Sequence, residues 1–550
     1  MANISVFNLE VFGVAKWVVD VVAGLLAIAC LCIYQFLQHK SSPGPRAWPI
    51  FGSTFELLGN LNQLHDWILK YAQQYDTFRV STFLSNNIFT VDPVIMDYVF
   101  KKNWKNYGKG KVISSQLSAF YGNGIFISNG EQWEWHRQIL QRQLFSSIHT
   151  KYNLDLHIEA GIEVSSMLIQ LASKGTKEIE MQDVFRRMAF DTIFQNVCGV
   201  KLKSLSSSFL EIDFIKAFET AKVQTNWRTY DPFWKLKRFF LLGPEAILKE
   251  NLTFLDEFLY KIIERRRNEV KDQNDALQDV NGDLLSRILL LFKDDPKVDS
   301  DQNIRDVIVN IIEAGRRTTV EALCWTFFMI CSHPHVETKI LQELSKIMED
   351  KGVCVPIQNG HNTKGNEFFM NNVATYAHLL NHDNLSEMHY LHATVTETLR
   401  LYPSVPCIAK EALSYDKLPN GMRVKKGDFV NVVPYSMARM QFLWGLDATD
   451  FKPERWLKDG LFQPESSCKF STFGVGPRSC IGKDEAYVQV KMTIAILLWF
   501  FKFKNVVGQN VTYQQASTLK MSTNGLLLEF EPRHWQDLCG SKYVKLTSAT

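Results

Sequence analysis

A cysteine stands in a glycine- and proline-rich loop directly before an apolar run that is typical of a helix. The loop reads FGVGPRSCIG over residues 473–482, and the apolar run covers residues 486–500. Glycine lets the backbone approach a sulfur atom closely, and the start of a helix stabilises negative charge. This setting suits a thiolate that ligates a metal ion, which would be that of Cys480. Taken alone, Cys480 is also compatible with an inert cysteine buried in a loop.

Three further patterns could support such a thiolate. Glu397 and Arg400 lie three residues apart in a helical segment and therefore share one face, and Arg455 follows in the segment PERW. Trp133 and Arg137 lie four residues apart in another helical segment, again on one face. Each pattern alone is weak, since surface ion pairs and amphipathic helices with these spacings are common.

Together, these motifs resemble those of one family. The residues Phe473, Gly476, Arg478, Cys480 and Gly482 match the pattern F-x-x-G-x-R-x-C-x-G of the cytochrome P-450 haem-thiolate monooxygenases. The resemblance implies the fold of that family, mainly α with small β-sheets, and a haem b cofactor whose iron is ligated by the Cys480 thiolate. A thiolate ligand pushes electron density towards iron and favours cleavage of the O–O bond.

The same resemblance assigns roles to the other patterns. It implies that Arg478 pairs with a haem propionate and that Trp133 and Arg137 contact a propionate from their shared helix. It also implies a structural network that holds the cysteine loop in place, formed by Glu397, Arg400 and Arg455.

The segment IIEAGRRTTVEAL, residues 311–323, resembles the long central helix that crosses the distal face of the haem in this family. Ala314, Gly315, Thr318 and Thr319 match the family pattern, whereas Arg317 stands where the family has an acid. In the family, the acid and the neighbouring alcohol deliver protons during oxygen activation. Thr318 corresponds to the alcohol of this pair, whereas position 317 has no carboxylate.

Arg317 cannot shuttle a proton near neutral pH, because the pKa of arginine exceeds about 12. Glu313 and Glu321 lie four residues before and after Arg317, on roughly the same helical face. We hypothesise that they neutralise Arg317 and that one of them, or water, supplies the protons. Alternatively, the three side chains form only a ladder of ion pairs, or oxygen activation is impaired.

Within the family, the chain most resembles the plant long-chain fatty acid omega-hydroxylases. The segments that carry this resemblance cover residues 389–406, 434–456 and 463–487. It implies insertion of one oxygen atom from dioxygen into a C–H bond of a fatty acid, at the terminal or an in-chain position. Electrons would come from NADPH through NADPH-cytochrome P-450 reductase.

Two groups of residues are candidate substrate contacts. Val405, Pro406 and Ile408 correspond to a substrate-contact stretch of the family. Lys109 and Lys111 precede Trp133 in a loop and could meet a substrate carboxylate, although lysines in loops are most often only solvated.

The sequence is compatible with two other functions. One is a haem-thiolate isomerase or dehydratase that acts on a fatty-acid hydroperoxide, which needs neither reductase nor dioxygen and tolerates loss of the acid. The other is a weakened haem-binding protein. Arg317 favours both alternatives, and retention of Thr318 favours the monooxygenase.

The composition bounds these possibilities. The chain has 550 residues, with 61 Lys and Arg against 58 Asp and Glu, so no broad basic surface for nucleic acid is expected. Ten cysteines without a C-x-x-C pair exclude a zinc ribbon and a disulfide scaffold, and indicate a reducing compartment.

The N-terminus predicts a membrane anchor. Residues 21–34 form an unbroken apolar run, which is short for a spanning helix, and basic residues follow it at His39, Lys40 and Arg46. We predict an anchor over residues 1–40, a proline-rich hinge over 41–50, and a catalytic domain over 51–550. The expected location is the endoplasmic reticulum membrane, with a single-pass anchor, the lipid bilayer as a partner and the catalytic domain facing the cytosol.

Local patterns predict the elements that position these residues. Residues 78–91 alternate as in a hairpin with Asn86-Asn87 at its turn, and Asp92-Pro93 begins a helix. Residues 130–350 are mainly helical by their apolar spacing. Strands are expected at 422–425 and 429–433, a turn at Asn524-Gly525, and a long surface loop at 351–387.

Overall fold

The computed structural model describes most of the chain. The described residues are 17–27, 29–30, 33, 43–48, 50–82, 85–205, 212–272, 282–292, 300–350, 363–514, 518–521 and 525–533. Residues 17–27 are helical and exposed, and part of the apolar run at 21–34 lies outside the described residues. None of the described helices combines the length and apolar character that crossing a membrane requires.

Helices make up most of the described chain, as the sequence predicts. In chain order after the N-terminal segment they are α1 (Thr54–Gly59), α2 (Leu64–Ala72), α3 (Pro93–Asp97), α4 (Gly110–Tyr121), α5 (Gly130–Leu144), α6 (Ser147–Ser173), α7 (Met181–Cys198), α8 (Asp213–Trp227), α9 (Trp234–Phe240), α10 (Pro244–Asp272), α11 (Leu284–Phe292), α12 (Asp301–Ser332), α13 (Pro334–Asp350), α14 (Thr363–Leu379), α15 (His382–Glu387), α16 (His389–Leu401), α17 (Pro434–Met437), α18 (Gln441–Trp444) and α19 (Lys483–Phe500). Short 3₁₀ turns cover Leu61–Gln63, Trp104–Asn106, Pro453–Trp456 and Gly476–Arg478, and a π turn covers Tyr98–Lys102.

The strands are short and form four small sheets. They are β1 (Thr77–Ser81), β2 (Asn86–Thr90), β3 (Tyr107–Gly108), β4 (Glu178–Glu180), β5 (Ile408–Ala412), β6 (Asp416–Lys417), β7 (Arg423–Val424), β8 (Phe429–Val432), β9 (Leu457–Lys458), β10 (Leu461–Phe462), β11 (Phe501–Asn505) and β12 (Leu527–Pro532). The largest sheet has the order β1-β2-β8-β5-β3, in which only β2 and β8 are parallel. The other sheets are β11-β12-β4, β9-β10 and β6-β7.

Several local predictions are confirmed and two are wrong. Asp92 caps α3 by accepting a hydrogen bond from the Val94 amide at 2.8 Å, as predicted. The hairpin of β1 and β2 is present, but Asn86 and Asn87 lie in β2 and not in the turn. A hydrogen bond between Thr82 and Ser85 spans the turn instead. The Thr82 hydroxyl accepts it from the Ser85 amide at 3.0 Å, which gives this amide a local partner.

The surface loop predicted at 351–387 is also wrong where the structure describes it, because α14 and α15 occupy most of residues 363–387. Phe369, Val373 and Tyr376 share one face of α14 and are buried, so apolar contact outweighs the polar composition of the segment. Residues 351–362, and Asn524 of the predicted turn, lie outside the described residues.

The central helix α12 joins two hydrophobic cores. Its first half, Ile304 to Ile312, packs into a core with α7, α8, α10 and α11, and its second half, Val320 to Ile330, packs into a larger core with α16 and α19. Most residues of this helix are buried, on nearly every side of it. The polar segment between the two halves is therefore fixed in the interior.

A buried carboxylate, that of Glu397 on α16, joins three parts of the chain. Its oxygens accept two hydrogen bonds from Arg400 at 2.8 Å, one from Arg455 at 3.1 Å and one from the Trp456 indole at 2.9 Å. The Lys452 amide donates a fifth at 3.0 Å, and Glu397 has no solvent exposure. The structure thus brings together the three residues of the predicted network, and adds an indole that the sequence motifs had not indicated.

The same network reaches the cysteine loop. Arg400 also donates to the backbone oxygens of Ala438, of Ala448 at 2.6 Å and of Asp450 at 3.1 Å. From the same turn of α16, the Leu399 oxygen accepts a hydrogen bond from the Thr472 hydroxyl at 2.9 Å, immediately before the loop. The position of the loop relative to α16 therefore depends on this buried cluster.

We expect Glu397→Gln to lower the free energy of unfolding by about 3–5 kcal/mol, because it leaves the buried Arg400 without a counter-charge and Arg455 with only Asp447. Chemical denaturation of the purified protein measures this loss. Trp456→Phe keeps every charge paired and removes one hydrogen bond to a charged group, so we expect a loss of about 2 kcal/mol.

The matched control is Glu454→Gln in the same PERW segment. Glu454 pairs with Lys339 at 2.6 Å at the surface, where such a pair contributes less than about 1 kcal/mol. If Glu397→Gln and Glu454→Gln unfold at the same denaturant concentration, the network does not carry the stability assigned to it.

Candidate functional site

Cys480 lies in a loop whose backbone is turned towards its sulfur. The Cys480 amide donates to the Phe473 oxygen at 2.7 Å, which closes the loop, and α19 begins three residues after the cysteine. Burial raises the pKa of the Cys480 thiol, while the Gly482 amide and the Arg137 guanidinium act in the opposite direction. The side chain of Cys480 is nevertheless accessible, so it faces a space that the surrounding side chains leave open.

Gly476 is the position in this loop where a side chain is impossible. Its φ is +71°, and a Cβ there would lie 2.0 Å from the Phe100 oxygen. Both facts require glycine. Gly482, in contrast, has an ordinary φ of −97°, and a Cβ at Gly482 would meet no atom within 4 Å. Gly476 is therefore required by the surrounding protein atoms, whereas Gly482 borders open space.

Arg137 and Trp133 lie one turn apart on α5 and approach the cysteine loop from the same side. Arg137 donates to the Ser479 oxygen at 2.6 Å, directly beside Cys480. The guanidinium carbon of Arg478 lies 4.4 Å from the centre of the Trp133 ring. The loop is thereby clamped between two side chains of one helix.

Arg478 belongs to a cluster of three interior cations, together with Lys109 and Lys410. Arg478 donates to the Ser128 oxygen at 3.0 Å, and its buried Nε has no partner. Burial lowers the pKa of Arg478 to about 10, and burial followed by the charge of Arg478 lowers the pKa of Lys109 to about 8. Burial, then Lys109 and Arg478, also lowers the pKa of Lys410 well below its usual value.

This cation cluster lacks its own counter-charge. Within the described part of the chain, none of the three cations forms an ion pair with a carboxylate, although each is at least partly buried. Burying three uncompensated cations is costly unless an anion joins them. A cofactor that carries carboxylates close to an accessible cysteine fits this arrangement, and the two propionates of haem are such groups.

The residues present therefore fit haem. Cys480 would ligate its iron, and Arg478, Lys109 and Lys410 would face its propionates. Lys410, on β5, was missed by the sequence motifs, since a single lysine in a short strand carries no signal of its own. Lys109 lies with this cluster, whereas Lys111 is exposed at the start of α4.

On the central helix, one face is accessible within the interior. Between residues 304 and 330, the accessible positions are Ala314, Gly315, Arg317, Thr318 and Phe328. Ala314, Arg317 and Thr318 lie one turn apart and share a face, whereas a Cβ on Gly315 would meet Ile193 of α7 at 2.7 Å. The face with Arg317 and Thr318 therefore borders open space inside the protein.

Thr318 is linked to the candidate substrate stretch. Its hydroxyl donates to the Ala314 oxygen at 2.7 Å, and its backbone oxygen accepts from the Ser404 hydroxyl at 2.8 Å. Val405 and Ile408, just after Ser404, are partly accessible, and Pro406 is buried. The structure thus brings the stretch that begins at residue 404 against the accessible face of the central helix.

Glu313 does not neutralise Arg317, contrary to the expectation from its spacing. Its carboxylate pairs with Lys222 of α8 and with Arg316, the latter at 3.0 Å. Arg316 pairs in turn with Glu219 of α8 and is only 1% exposed. Two acids and two bases therefore form a neutral buried cluster between α8 and α12, and the correction is that Glu313 belongs to this cluster.

Glu321 is the acid that lies near Arg317. Its Oε1 is 4.0 Å from the Arg317 Nε, and its Oε2 is buried without a partner. The Thr518 hydroxyl donates to Oε1 at 3.4 Å. Burial raises the pKa of Glu321 to about 7, although the charges of Arg317 and Lys520 act against this shift. The carboxyl is therefore partly protonated near neutral pH.

Comparison with known proteins agrees with this geometry. The profile of the cytochrome P-450 family matches residues 42–530. Cytochrome P-450 704C1 of Pinus taeda is 39% identical over 524 residues, which cover 93% of this chain and 98% of the relative. Cytochrome P-450 704B1 of Arabidopsis thaliana is 36% identical, with 90% of this chain and 97% of the relative covered.

A further relative, cytochrome P-450 86B1 of Arabidopsis thaliana, is 32% identical over 93% of this chain and 89% of its own length. The match extends along nearly the whole chain and includes the cysteine loop, the central helix and the Glu397 network. This chain therefore belongs to the cytochrome P-450 family and is a cytochrome P-450 monooxygenase.

Proposed function

We propose that the protein hydroxylates a long-chain fatty acid, with electrons supplied by NADPH through a membrane-bound reductase. The observation that carries the haem-dependent part is the accessible Cys480 beside three interior cations without a counter-charge. The fatty-acid part is supported by the resemblance of residues 389–406, 434–456 and 463–487 to plant fatty acid omega-hydroxylases.

In this proposal the residues of the chain have separate roles. Haem, when bound, supplies the iron at which dioxygen is activated. Cys480 would ligate that iron, and the three cations Lys109, Lys410 and Arg478 would hold the propionates. Thr318 presents its hydroxyl on the accessible face of the central helix, and Val405 and Ile408 border the substrate.

Glu321 is the remaining acid for proton supply. Glu313 is committed to Lys222 and Arg316, and Arg317 cannot release a proton near neutral pH. Glu321 lies three residues after Thr318 on the same helix and keeps one oxygen without a partner. A buried carboxyl with a pKa near the working pH can both hold and release a proton.

Turnover under isotopically labelled dioxygen tests the function. With NADPH, a plant reductase and a panel of long-chain fatty acids, we expect one labelled oxygen atom in the product, located by mass spectrometry. The isomerase or dehydratase alternative predicts conversion of a fatty-acid hydroperoxide without NADPH. The weakened haem-binding alternative predicts no product from either substrate, and either result would contradict the proposal.

Glu321→Gln should change the pH dependence of stability. In the wild type, the folded state holds the Glu321 proton up to about pH 7, whereas the unfolded state releases it near pH 4.5. Folding therefore loses stability as the pH rises through this range, by up to about 3 kcal/mol for a shift of this size. The glutamine cannot ionise, so Glu321→Gln should gain stability relative to the wild type between pH 5 and pH 8.

Thermal unfolding at the two pH values measures this difference. The role in proton supply has a separate readout, the amount of hydroxylated product per NADPH consumed, which should fall in Glu321→Gln. The matched control is Glu219→Gln, whose folded-state pKa is lowered to about 2 by Arg316 and Arg317 against the effect of burial. An unchanged product yield in Glu321→Gln would exclude Glu321 as the proton source.

A bilayer partner and a location on the endoplasmic reticulum membrane are part of the same proposal. The N-terminal apolar run supports an anchor, and a surface patch supports a second contact. This patch extends from the end of α8 through α9 to the residues just before α10, and its exposed apolar side chains are Trp227, Tyr230, Phe233, Leu236, Phe239, Phe240, Leu241 and Leu242. Lys235, Lys237 and Arg238 lie among them, as in segments that rest on a membrane surface.

We expect the backbone amides of residues 233–242 to become protected from hydrogen exchange when phosphatidylcholine vesicles are added to the full chain. Apolar burial in the bilayer removes water from these amides, and Phe239→Ser with Phe240→Ser should reduce the protection. The loop around Leu446, which is 88% exposed, serves as the control and should exchange equally with and without vesicles. Equal protection in both regions would contradict a specific membrane contact.

A further inference from the structure

Arg317 is an interior cation whose charge is poorly matched. Its side chain is 13% exposed, and its guanidinium makes no hydrogen bond to any residue that the structure describes. The one described carboxylate within 4.0 Å is that of Glu321, which is partly protonated near neutral pH. The charge of Arg317 also reaches Glu219, but that carboxylate is paired with Arg316. A guanidinium has five donors in a planar fork, and placing it in the interior without partners is costly.

The neighbouring cations, in contrast, have carboxylate partners. Lys222 is 2% exposed and pairs with Glu313, and Arg316 is 1% exposed and pairs with Glu313 and Glu219. Arg316 leaves its buried Nε without a partner, but both of its terminal nitrogens are paired. The remaining interior cations of the site, Lys109, Lys410 and Arg478, would face the propionates of the cofactor. Among the described cations around the polar segment of the central helix, Arg317 is therefore the one whose whole guanidinium lacks a hydrogen bond.

Its surroundings place these donors at the interior space and not at the protein surface. Arg317 shares the accessible face of α12 with Ala314 and Thr318, and residues before and after this face are buried. Its charge also reaches Tyr121 of α4, where burial raises the pKa of the phenol and Arg316 and Arg317 act against this. The hydroxyl of Tyr121 has no hydrogen-bond partner among the described residues, so it could donate alongside the guanidinium.

We infer that Arg317 binds the carboxylate of the substrate inside the active-site cavity, beside Thr318. The planar fork of arginine binds a carboxylate through two parallel hydrogen bonds, and the low dielectric of the interior strengthens them. The substrate carboxylate then lies beside residue 317, the position at which the family pattern has an acidic side chain. This inference rests on the proposed fatty-acid substrate and specifies its orientation.

The orientation has a consequence for the product. A fatty acid held by Arg317 enters with its carboxyl end towards the cofactor and leaves its terminal methyl group far from it. Oxygen should therefore be inserted at carbon atoms near the carboxyl group. The expectation that Lys109 and Lys111 hold the carboxylate outside the cavity implies the opposite orientation and oxidation at the terminal methyl group.

Binding of palmitic acid and of its methyl ester tests the inference, followed through the change in haem absorbance of the purified full-length protein. The wild type should bind the acid about 10- to 100-fold more tightly than the ester, as expected for hydrogen bonds to a charged group. Arg317→Ala should weaken only the acid and bring the ratio close to one. Arg317→Lys, which keeps the charge but loses the fork, should retain part of the ratio.

Lys111→Gln is the matched control, since it removes a cation of the competing site and should leave the ratio of acid to ester unchanged. The absorbance of the reduced carbon monoxide complex shows that each variant keeps its thiolate ligand. If palmitic acid binds the wild type and Arg317→Ala keeps the full ratio, or if the product carries oxygen at the terminal methyl group, Arg317 does not hold the carboxylate. If neither probe binds the wild type and no fatty acid is oxidised, the proposed substrate class itself fails.

Discussion

The position of the cysteine loop depends on one buried carboxylate. Glu397 accepts five hydrogen bonds, from Arg400, Arg455, Trp456 and the Lys452 amide, and none of its surface reaches solvent. A buried charge of this kind is tolerated only when every oxygen is paired, so the segments that carry its partners cannot shift independently. The loop of Cys480 begins just after Thr472, which is bonded to the same turn of α16.

The second constraint is the balance of charge in the middle of the central helix. α8 supplies Lys222 and Glu219, and α12 supplies Glu313 and Arg316, so that two acids and two bases form ion pairs across the interface. Arg317 forms no ion pair within this cluster, although its charge reaches Glu219, and its one ion pair among the described residues is the 4.0 Å contact with Glu321. One charge is therefore left facing the interior space, where a ligand can meet it.

The two interior sets of cations have different roles for a physical reason. Lys109, Lys410 and Arg478 are interior cations, and burial followed by the charge of a neighbouring cation lowers the pKa of both lysines, which favours a dianionic cofactor. Arg317 lies across the space on the central helix and is a single cation with spare donors, which favours one carboxylate. Interior cations that lack a carboxylate partner thus indicate both the place where the cofactor would bind and the proposed substrate contact.

The sequence by itself determined the family, the helical fold class and the identity of Cys480, Glu397 and Arg400, because these depend on residue types at short, fixed spacing. It did not determine which side chains meet across the interior. Glu313 and Glu321 are equally spaced from Arg317 along the helix, yet Lys222 of a distant helix takes one of them and leaves the other. Lys410 joins Arg478 only because β5 passes the cysteine loop, and α14 forms in a polar segment because the core buries one of its faces. Partners that lie far apart in the chain are selected by packing, and only the tertiary structure decides them.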